Sequence, residues 1–473
     1  PVLGRLPAPA PGTRPPNLIL IVPDDMRLDD LPTMPRVTQQ LVEAGTTFSH
    51  CFATTPLCAP SRASMLRGQY AHNHGVLGNM GEDSGFPVFH AAGLEQSTIA
   101  TWLQQGGYRT GLIGKYLNGY RYSDSAYVPP GWEEWVAGLG NEEYAEFDYQ
   151  LIENGQIVSY GHSPDDYLTD VLAGKAREFI AQASVDARPF FLYLATYAPH
   201  APSVPAPRHA GDFADGQAPR GPSFNEADVR DKPAWVQAIP PMPAPQIAKL
   251  DERQRDRLRS LEAVDELVGG VCDAVAAAVA LADTYVVFTS DNGVFLGEHR
   301  LPHGKNVPYD EAIGLPLVVR GPGVAAAATN SALVANIDLA PTLAALAGVA
   351  SPTFVDGRSL VPLLVGQEPE TGRQALLLEG FGGVSDDSVD GSGEPADRAF
   401  AGLRTANALY ARYDTGEQEL YDLVADPAEL GNRITEADPG IVAALAERVA
   451  EVKTAAGAAC RELEDAPLTA LWP

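Results

Sequence analysis

Four short apolar runs constrain the fold of this chain more than any other feature of its sequence. Amphipathic helical segments such as 98–105 and 253–280 lie between them. The runs are NLILIV (17–22), PFFLYLATY (189–197), TYVVFTSDNG (284–293) and LPLVVRGPG (315–323). Runs that are apolar at nearly every position are typical of strands buried on both faces of a parallel sheet. Their alternation with helices predicts a layered α/β fold.

Oxygen-bearing side chains stand at the C-terminal ends of two of these runs. Asp24 and Asp25 follow the first run, and Asp291 and Asn292 close the third. Open α/β sheets bind ligands at the edge formed by the carboxyl ends of their strands. The pattern therefore predicts a ligand site at that edge, although an isolated Asp pair is more often a turn or a helix cap.

Short alternating strands replace this pattern from about residue 374. ALLLEG, FAGLRT, ALYARYD and QELYDL predict a small antiparallel sheet, and one helix is predicted over 441–458. We therefore expect three parts in the chain. They are a Pro-rich leader (1–16), a large α/β domain (17–373) and a C-terminal α+β subdomain (374–473).

Two segments have neither strand nor helix periodicity. Segment 199–245 is rich in Pro, and segment 382–396 is acidic and rich in Gly and Ser. Long irregular connections inside compact domains are usually functional or disordered. We expect the first segment to face the substrate and the second to be a mobile loop.

The formal net charge of −28 follows from 61 Asp and Glu residues against 33 Lys and Arg residues. Nucleic-acid binding needs clustered positive charge, and anionic membrane surfaces repel an acidic protein. Both are therefore excluded as partners of the bulk surface, although a single site can oppose the net charge. No run approaches 18 apolar residues, so we expect no membrane-spanning segment.

The four cysteines, Cys51, Cys58, Cys272 and Cys460, form no CxxC pair, so zinc and thioredoxin-type sites have no support. Their number does not decide between free thiols and disulfides. The Pro-rich opening is typical of a stalk left after signal removal, and trimming of the sequence explains it equally well. We expect an exported protein (periplasmic, secreted or lipid-anchored), with the cytoplasm as the open alternative.

The segment PLCAPSRASMLRG (56–68) carries the most informative motif. Cys58 stands just before a predicted helix N-terminus, where the helix dipole and free N–H groups favour anions. Arg62 follows one helical turn later, so both side chains can face one pocket. A lone cysteine is more often a small buried apolar residue, so the surrounding pattern has to decide.

The C-x-P-S-R core of this segment resembles the defining motif of type I sulfatases, whose cysteine is converted to formylglycine. Further pieces of that family's pattern follow in order along the chain, from Asn17 to ELYDLVADPAE in the C-terminal region. They are DD (24–25), GYRTGLIGKYLNGY (107–120), APH (198–200), DNG (291–293) and Lys305 before PYD. GKYLNGY, APHAPSVPAP and FNEADVRDKP resemble the N-acetylglucosamine-6-sulfatase branch in particular.

The resemblance implies an alkaline-phosphatase-like α/β sandwich. Its large mixed, mostly parallel central sheet would be flanked by helices. A small C-terminal antiparallel sheet with one helix would complete it. The resemblance also implies a metal site with Ca²⁺ as the favoured ion, since Ca²⁺ takes six or more oxygen ligands; Mg²⁺ is possible. The metal site would comprise Asp24, Asp25, Cys58, Asp291 and Asn292.

The resemblance assigns roles to the basic residues of the motifs. Arg62 would hold the formylglycine, and Lys115 and Lys305 would bind sulfate oxygens as point charges. His200 is the candidate general acid for the leaving alcohol. His303 is a weaker substrate-binding candidate, for which an exposed loop position is an even alternative.

One position departs from the common family pattern. Leu117 stands where many sulfatases carry a histidine, so the base for the elimination step stays open. Asn118, the next residue, is expected to contact substrate. His72 and His74 of the HNHG segment could line the pocket or serve in packing, and the sequence leaves both roles open.

The resulting prediction is an enzyme, a sulfuric ester hydrolase. Its partners would be a small or terminal sulfated saccharide or an aryl sulfate, and the formylglycine-generating enzyme during maturation. A small substrate is favoured because an acidic surface would repel a long polyanion. The first alternative is a formylglycine-dependent phosphonate monoester or phosphodiester hydrolase, and the second is a non-catalytic sulfoglycan-binding protein.

Overall fold

The computed structural model of the chain describes residues 15–79, 84–120, 126–278, 281–367, 372–382 and 398–468. Except for residues 15, 16 and 382, the predicted leader and the predicted acidic loop lie outside these ranges. The strands are β1 Asn17–Ile21, β2 Thr46–Phe52, β3 Arg109–Gly114, β4 Glu134–Gly138, β5 Gln150–Glu153, β6 Gln156–Ser159, β7 Phe190–Ala195, β8 Thr284–Thr289, β9 Leu317–Arg320, β10 Ala328–Ala335, β11 Leu376–Gly380, β12 Phe400–Arg404, β13 Ala408–Tyr413 and β14 Gln418–Asp422.

Helices connect many of these strands, while turns join pairs such as β5 and β6 or β13 and β14. They are α1 Pro35–Val37, α2 Cys58–Arg67, α3 Ala71–His74, α4 Gly85–Ala91, α5 Ile99–Gln105, α6 Leu168–Ser184, α7 Ala234–Gln237, α8 Ala244–Ala278, α9 Asp310–Ile313, α10 Leu339–Leu346, α11 Val361–Leu364, α12 Pro439–Val452 and α13 Ala458–Asp465. Helix α8 begins nine residues before the predicted start at residue 253. Its first turns are mostly exposed, so no apolar period marks them in the sequence.

Ten of the described strands form one mixed sheet in the order β10-β2-β9-β8-β1-β7-β3-β4-β5-β6. Strands β8, β1, β7, β3 and β4 are mutually parallel and form its centre. The antiparallel pairings lie toward the two sides, at β9 and around β5. The sheet is therefore mixed with a parallel centre, as the sequence predicted.

The two faces of the sheet bury two separate apolar layers. Leu18 and Leu20 of β1 point into one layer, while Ile19 and Ile21 point into the other. Helices α6 and α8 cover the second layer, and α2, α5 and α10 cover the first. Coverage on both faces explains why these strands are apolar at nearly every position.

The small sheet β11-β12-β13-β14 is antiparallel throughout. The one helix predicted beside it is two helices, because the chain turns at Gly457, whose φ of 59° lies in the left-handed region. Phe52 and Tyr309 of the larger unit share an apolar cluster with this sheet. The domain boundary at residues 373 and 374 therefore stays a prediction.

The four cysteines are free and buried, which answers the pairing question that the sequence left open. Within the described ranges, no helix combines the length and the apolar character that crossing a bilayer requires.

Candidate active site

The acidic residues predicted from the strand ends meet at the carboxyl edge of the central sheet. β1 and β8 are parallel neighbours, so Asp24 and Asp25 after β1 lie beside Asp291 and Asn292 after β8. The amide N–H of Asp25 donates to Oδ1 of Asp291 at 3.1 Å. Nδ2 of Asn292 donates to Oδ1 of Asp25 at 2.6 Å. All four side chains are buried, at no more than 1% exposure.

Cys58 is the first residue of α2, one position later than the sequence placed it relative to the helix. Its Sγ lies 3.5 Å from Oδ1 of Asp24 and 3.9 Å from Oδ1 of Asp25. The next N–H of the helix, at Ala59, donates to Oδ1 of Asn79 at 2.9 Å, which satisfies one of the free donors of the helix start. Burial raises the pKa of the Cys58 thiol well above its usual value, and the charge of Asp24 raises it further. An unmodified thiol here would therefore stay protonated at neutral pH.

Three cations predicted from the sequence close around these acids. Nε of Arg62 donates to Oδ2 of Asp291 at 2.8 Å. Nζ of Lys115 donates to Oδ2 of Asp24 at 2.5 Å, and Nζ of Lys305 donates to Oδ1 of Asp25 at 2.6 Å. Arg62 also lies 3.5 Å from Oδ1 of Asp24, so each of the three carboxylates has at least one cationic partner in a buried cluster.

Lys305 also approaches the cysteine directly. Its Nζ stands 2.8 Å from Sγ of Cys58. Lys115 follows Gly114, whose φ of 108° and close packing admit no side chain, because a Cβ there would meet the carbonyl oxygen of Ala195 at 1.7 Å. The Gly-Lys pair of the motif therefore has a steric cause: only glycine lets the chain turn so that Lys115 enters the cluster.

The ion pairs determine the ionisation state of Asp24. Burial alone would raise the pKa of Asp24, but the charges of Lys115, His200 and Arg62 outweigh it and lower the pKa to about 2. Burial likewise would lower the pKa of Lys115, yet Asp24 holds it well above its usual value. The pair is therefore fully charged at neutral pH.

His200 lies in the same pocket with one ring nitrogen facing the acids. Its Nδ1 stands 2.7 Å from the carbonyl oxygen of Ala201, which can only accept, so Nδ1 carries a proton. Its Nε2 stands 3.6 Å from Oδ2 of Asp25 and makes no hydrogen bond. A second proton on Nε2 would be directed toward the cluster, which is the arrangement a general acid needs.

The cluster has the donor set of a hard dication. Asp24, Asp25 and Asp291 each offer a carboxylate oxygen, and these atoms lie within 4.8 Å of one another. Oδ1 of Asn292 is buried and has no hydrogen-bond partner, which is costly unless something binds it. Four oxygen ligands of this kind fit Ca²⁺ better than a soft metal.

Two residues of the site were not predicted from the sequence. Tyr144 packs against His200 with ring centroids 4.4 Å apart, and its ring centroid lies 5.2 Å from Nζ of Lys115. Nη2 of Arg257 donates to the carbonyl oxygen of Asp25 at 2.9 Å, and Nη1 to that of Pro199 at 3.4 Å. Arg257 thus joins the loops that carry Asp25 and His200. Its place in a run of polar residues on α8 gave no signal that could single it out.

The remaining predicted residues are Asn118, His303 and His72. Asn118 is half-buried, and its side-chain Oδ1 has no hydrogen-bond partner. His303 is half-buried on the loop that carries Lys305. His72 bonds to Glu379 and to the carbonyl oxygen of Ala455, so it anchors the C-terminal region.

His74 has a packing role within the motif region. Its Nε2 bonds to Oγ of Ser64 on α2 at 3.0 Å, and its Nδ1 accepts from the N–H of Val76 at 3.1 Å. Burial lowers the pKa of His74 to about 3, and the charge of Arg67 adds to the effect. His74 is therefore a neutral histidine that holds α2 and α3 together.

Family comparison agrees with the order of motifs along the chain. Residues 16–349 match the model of the family described as Sulfatase, and residues 297–455 match that described as N-sulphoglucosamine sulphohydrolase, C-terminal. The chain is 36% identical to human N-acetylglucosamine-6-sulfatase over 482 residues, which cover 96% of this chain and 87% of the relative. It is also 36% identical to the extracellular sulfatase SULF-1 homolog of Drosophila melanogaster, over 74% of this chain and 31% of that protein.

Solved structures agree with the fold. One, a complex with its substrate D-glucosamine-2-N,6-O-disulfate, superposes with a TM-score of 0.77 at 25% identity over 96% of this chain and 99% of the other. The phosphonate monoester hydrolase of Agrobacterium radiobacter superposes with a TM-score of 0.68 at 23% identity, over 91% of this chain and 94% of the other. The second likeness concerns the fold alone.

Proposed function

Because the chain belongs to the sulfatase family and is a sulfuric ester hydrolase, we propose that it removes 6-O-sulfate from a small or terminal glucosamine-type saccharide through formylglycine at Cys58. The observation that carries this proposal is the convergence on Sγ of Cys58. Asp24 lies 3.5 Å away, and Lys305 lies 2.8 Å away. The reacting atom of residue 58 would therefore lie between the carboxylates that can hold a metal ion and the cations that can bind the sulfate.

The nucleophile would be one hydroxyl of the hydrated formylglycine. This hydroxyl would lose its proton to water; its oxygen would then form a bond to sulfur while the bond from sulfur to the sugar oxygen breaks, and the departing alcohol would take a proton from Nε2 of His200. Lys115 and Lys305 would give their ammonium groups to the sulfuryl oxygens, where negative charge develops. Arg62, already bonded to Asp291, would keep the acids and residue 58 in place.

The second step would release inorganic sulfate. The remaining hydroxyl of residue 58 would lose its proton to water, a carbon–oxygen double bond would form, and the bond between carbon and the sulfate oxygen would break. Water then hydrates the aldehyde again. An unmodified cysteine or a serine has no second hydroxyl on the same carbon and could not expel sulfate in this way. The buried Cys58 thiol would also be a poor nucleophile, because its pKa is raised well above its usual value. These are the physical reasons for the modification.

Asp24, Asp25, Asp291 and Asn292 would hold Ca²⁺, because they are hard oxygen donors and the amide oxygen of Asn292 is otherwise without a partner. The ion would supply positive charge that lowers the pKa of the nucleophile and neutralises the sulfate. Asn118 and His303 would contact the sugar from the loops beside Lys115 and Lys305.

The substrate class follows from the relatives. Human N-acetylglucosamine-6-sulfatase, by its name, acts on a 6-sulfated glucosamine, and one solved structure holds a 6-O-sulfated glucosamine. The net charge of −28 favours a small substrate over a long polyanion. Export of the protein is part of the proposal, since a relative of this chain is named as extracellular.

Two measurements test the proposal. Mass analysis of the peptide containing Cys58 from active enzyme should show a residue mass roughly 18 Da below that of cysteine. The kcat/KM value for N-acetylglucosamine 6-sulfate should exceed that for a 2- or 3-sulfated isomer and for a sulfated polymer. An unmodified Cys58 in active enzyme would refute the mechanism, and faster turnover of an aryl phosphonate than of an aryl sulfate would favour a phosphonate hydrolase.

A further inference from the structure

A second buried cluster lies behind the loop that carries Lys305. Nε2 of His299, Oε2 of Glu311 and Oε1 of Glu429 are buried and have no hydrogen-bond partner. Each offers a ligand atom within 4.8 Å of the others, and Nε2 of His299 stands 3.7 Å from Oε2 of Glu311. Nε2 of His299 and Oε2 of Glu311 face each other as ion-pair partners, but all three atoms lack a hydrogen bond within the described residues, and each such buried atom costs free energy unless something binds it.

A carboxylate and an aromatic ring fix the orientation of His299, an arrangement that is common for histidines that bind metals. Its other ring nitrogen, Nδ1, donates to Oε2 of Glu226 at 2.8 Å. Its ring stacks on Tyr309 with centroids 4.3 Å apart. A carboxylate on one nitrogen fixes the ring and directs the lone pair of the other nitrogen toward the metal. The side chain of His299 is fully buried, so solvent does not compete for that nitrogen.

We propose that His299, Glu311 and Glu429 form a second metal site, which takes a transition-metal dication of the Zn²⁺ type. One imidazole and two carboxylates are a borderline donor set that suits Zn²⁺, unlike the all-oxygen set at Asp24 and Asp291. Two ligands each about 2.1 Å from Zn²⁺ lie roughly 3.4–3.6 Å apart in a four-coordinate site. The observed 3.7 Å between the atoms of His299 and Glu311 fits this with little movement.

The charges around the cluster favour a cation. Three carboxylates, of Glu226, Glu311 and Glu429, converge here, and Lys232 brings one positive charge 3.9 Å from Glu226. Without an ion, a protonated His299 between Glu226 and Glu311 balances part of this charge, and a dication would replace the proton on Nε2. The side chain of Glu311 keeps 17% of its exposure, so an ion can enter on that side without unfolding the core.

The three ligands and Glu226 come from three parts of the chain. Glu226 belongs to the segment between β7 and α8, His299 and Glu311 to the connection between β8 and β9, and Glu429 to the segment after β14. A bound ion would fasten the loop of Lys305 to the C-terminal region. The site would thus be structural, and it would be independent of the substrate proposed above.

Metal analysis of tag-free, full-length enzyme tests the site. After incubation with Zn²⁺ and dialysis, we expect one equivalent of zinc per chain, and H299Q and E311Q should each lose it. The matched control is H209Q, which changes a histidine 3.2 Å from Asp212 and 3.3 Å from Glu262 nearer the surface and should keep the zinc. D291N should lose the calcium of the active centre and keep the zinc.

A second measurement guards against misfolded variants. Co²⁺ in place of Zn²⁺ should give visible d–d absorption in the wild type and in H209Q, and none in E311Q, whose altered side chain is partly exposed. Far-ultraviolet circular dichroism would establish that E311Q is folded. Zinc retained by folded H299Q and E311Q, or no zinc in the wild type, would overturn the site.

Discussion

The cluster at the active centre and the cluster around His299 are both buried, and they differ in how their charges are paired. At the active centre, Asp24, Asp25 and Asp291 each have a cationic partner within 2.8 Å. In the second cluster, the closest contact of Nε2 of His299 is the looser 3.7 Å pair with Glu311, and atoms of His299, Glu311 and Glu429 lack a hydrogen bond within the described residues. Close ion pairs remain stable in a folded interior without a ligand, whereas buried polar atoms without a hydrogen bond imply that a partner is missing.

The two clusters also differ in origin. The first stands on consecutive ends of parallel strands, where sheet geometry brings acids together. The second joins loops from distant parts of the chain and has no strand to position it. A site at a sheet edge can therefore be predicted from the sequence, whereas a site built from distant segments becomes visible only in the folded structure.

The largest effect is expected at Cys58, where a substitution should disable the active centre and leave the second cluster intact. Cys58→Ala removes the nucleophile, so turnover should fall roughly 10⁴-fold or more. The fold and the zinc of the second cluster should remain, because Ala fits the first turn of α2. Cys272→Ala on α8 is the matched control, and it should keep full activity. Comparable loss in both variants would show that cysteine packing, not chemistry, explains the effect.

Asp291→Asn separates the two metal sites. The change removes one ligand charge and the partner of Arg62, so we expect roughly 10³-fold lower kcat together with loss of calcium. Asn keeps the size of Asp and avoids a cavity, although Arg62 loses its ion pair. Calcium and zinc measured in the same sample check the result. Simultaneous loss of both metals would mean that the clusters are not independent.

His200→Ala tests the proton donor of the active centre. An alkyl alcohol needs protonation to leave, so turnover of a sugar 6-sulfate should fall by about 10²–10³-fold. A nitrophenyl oxide leaves more readily, and turnover of its sulfate should fall only about tenfold. The ratio of the two kcat values is the measurement. Equal losses on both substrates would contradict a general-acid role.

Arg257→Lys addresses how the active centre is positioned. Lysine keeps the charge but cannot bond to the carbonyl oxygens of Asp25 and Pro199 at once. A small displacement of both loops should lower kcat by about 10- to 100-fold. Arg259→Lys, on the partly exposed side of α8, is the control and should be neutral. Thermal midpoints of the two variants would separate misplacement from unfolding.

Much of the fold was predictable because burial leaves a pattern. The runs that became β1, β7, β8 and β9 are apolar at nearly every position, as coverage on both faces requires. The resemblance to sulfatases supplied the positions of Cys58 and Lys305 in the cluster. Those assignments came from the order of the motifs along the chain. The acidic motifs meet in the structure because each follows a strand whose carboxyl end lies at the same edge of the central sheet.

What the sequence did not predict depends on contacts between distant residues. Arg257 looks like its neighbours on a polar helix, and Tyr144 lies in a short 3₁₀ helix, Glu142–Ala145, without a motif. The break at Gly457 interrupts a helix whose period continues on both sides. His299 and Glu429 meet only after the large and small sheets have packed together, so no local pattern marks them.

The smallest effect is expected at His74, a buried histidine without the carboxylates that surround His299. His74 bonds to Ser64 and to a backbone N–H, and burial, helped by Arg67, lowers its pKa to about 3. Below pH 6.5 the unfolded chain binds a proton at His74 that the folded chain refuses. The contribution of His74 to stability is therefore full above pH 6.5 and is lost as pH falls toward 3.

His74→Gln should remove this pH dependence. The free energy of unfolding of the wild type should drop, relative to the variant, by about 1–2 kcal/mol between pH 7 and pH 5. Urea unfolding at both pH values measures the difference. His162→Gln is the control, because His162 is 76% exposed and pairs with Asp148 at the surface. Parallel pH curves for the wild type and His74→Gln would show that burial without a carboxylate does not keep this histidine neutral.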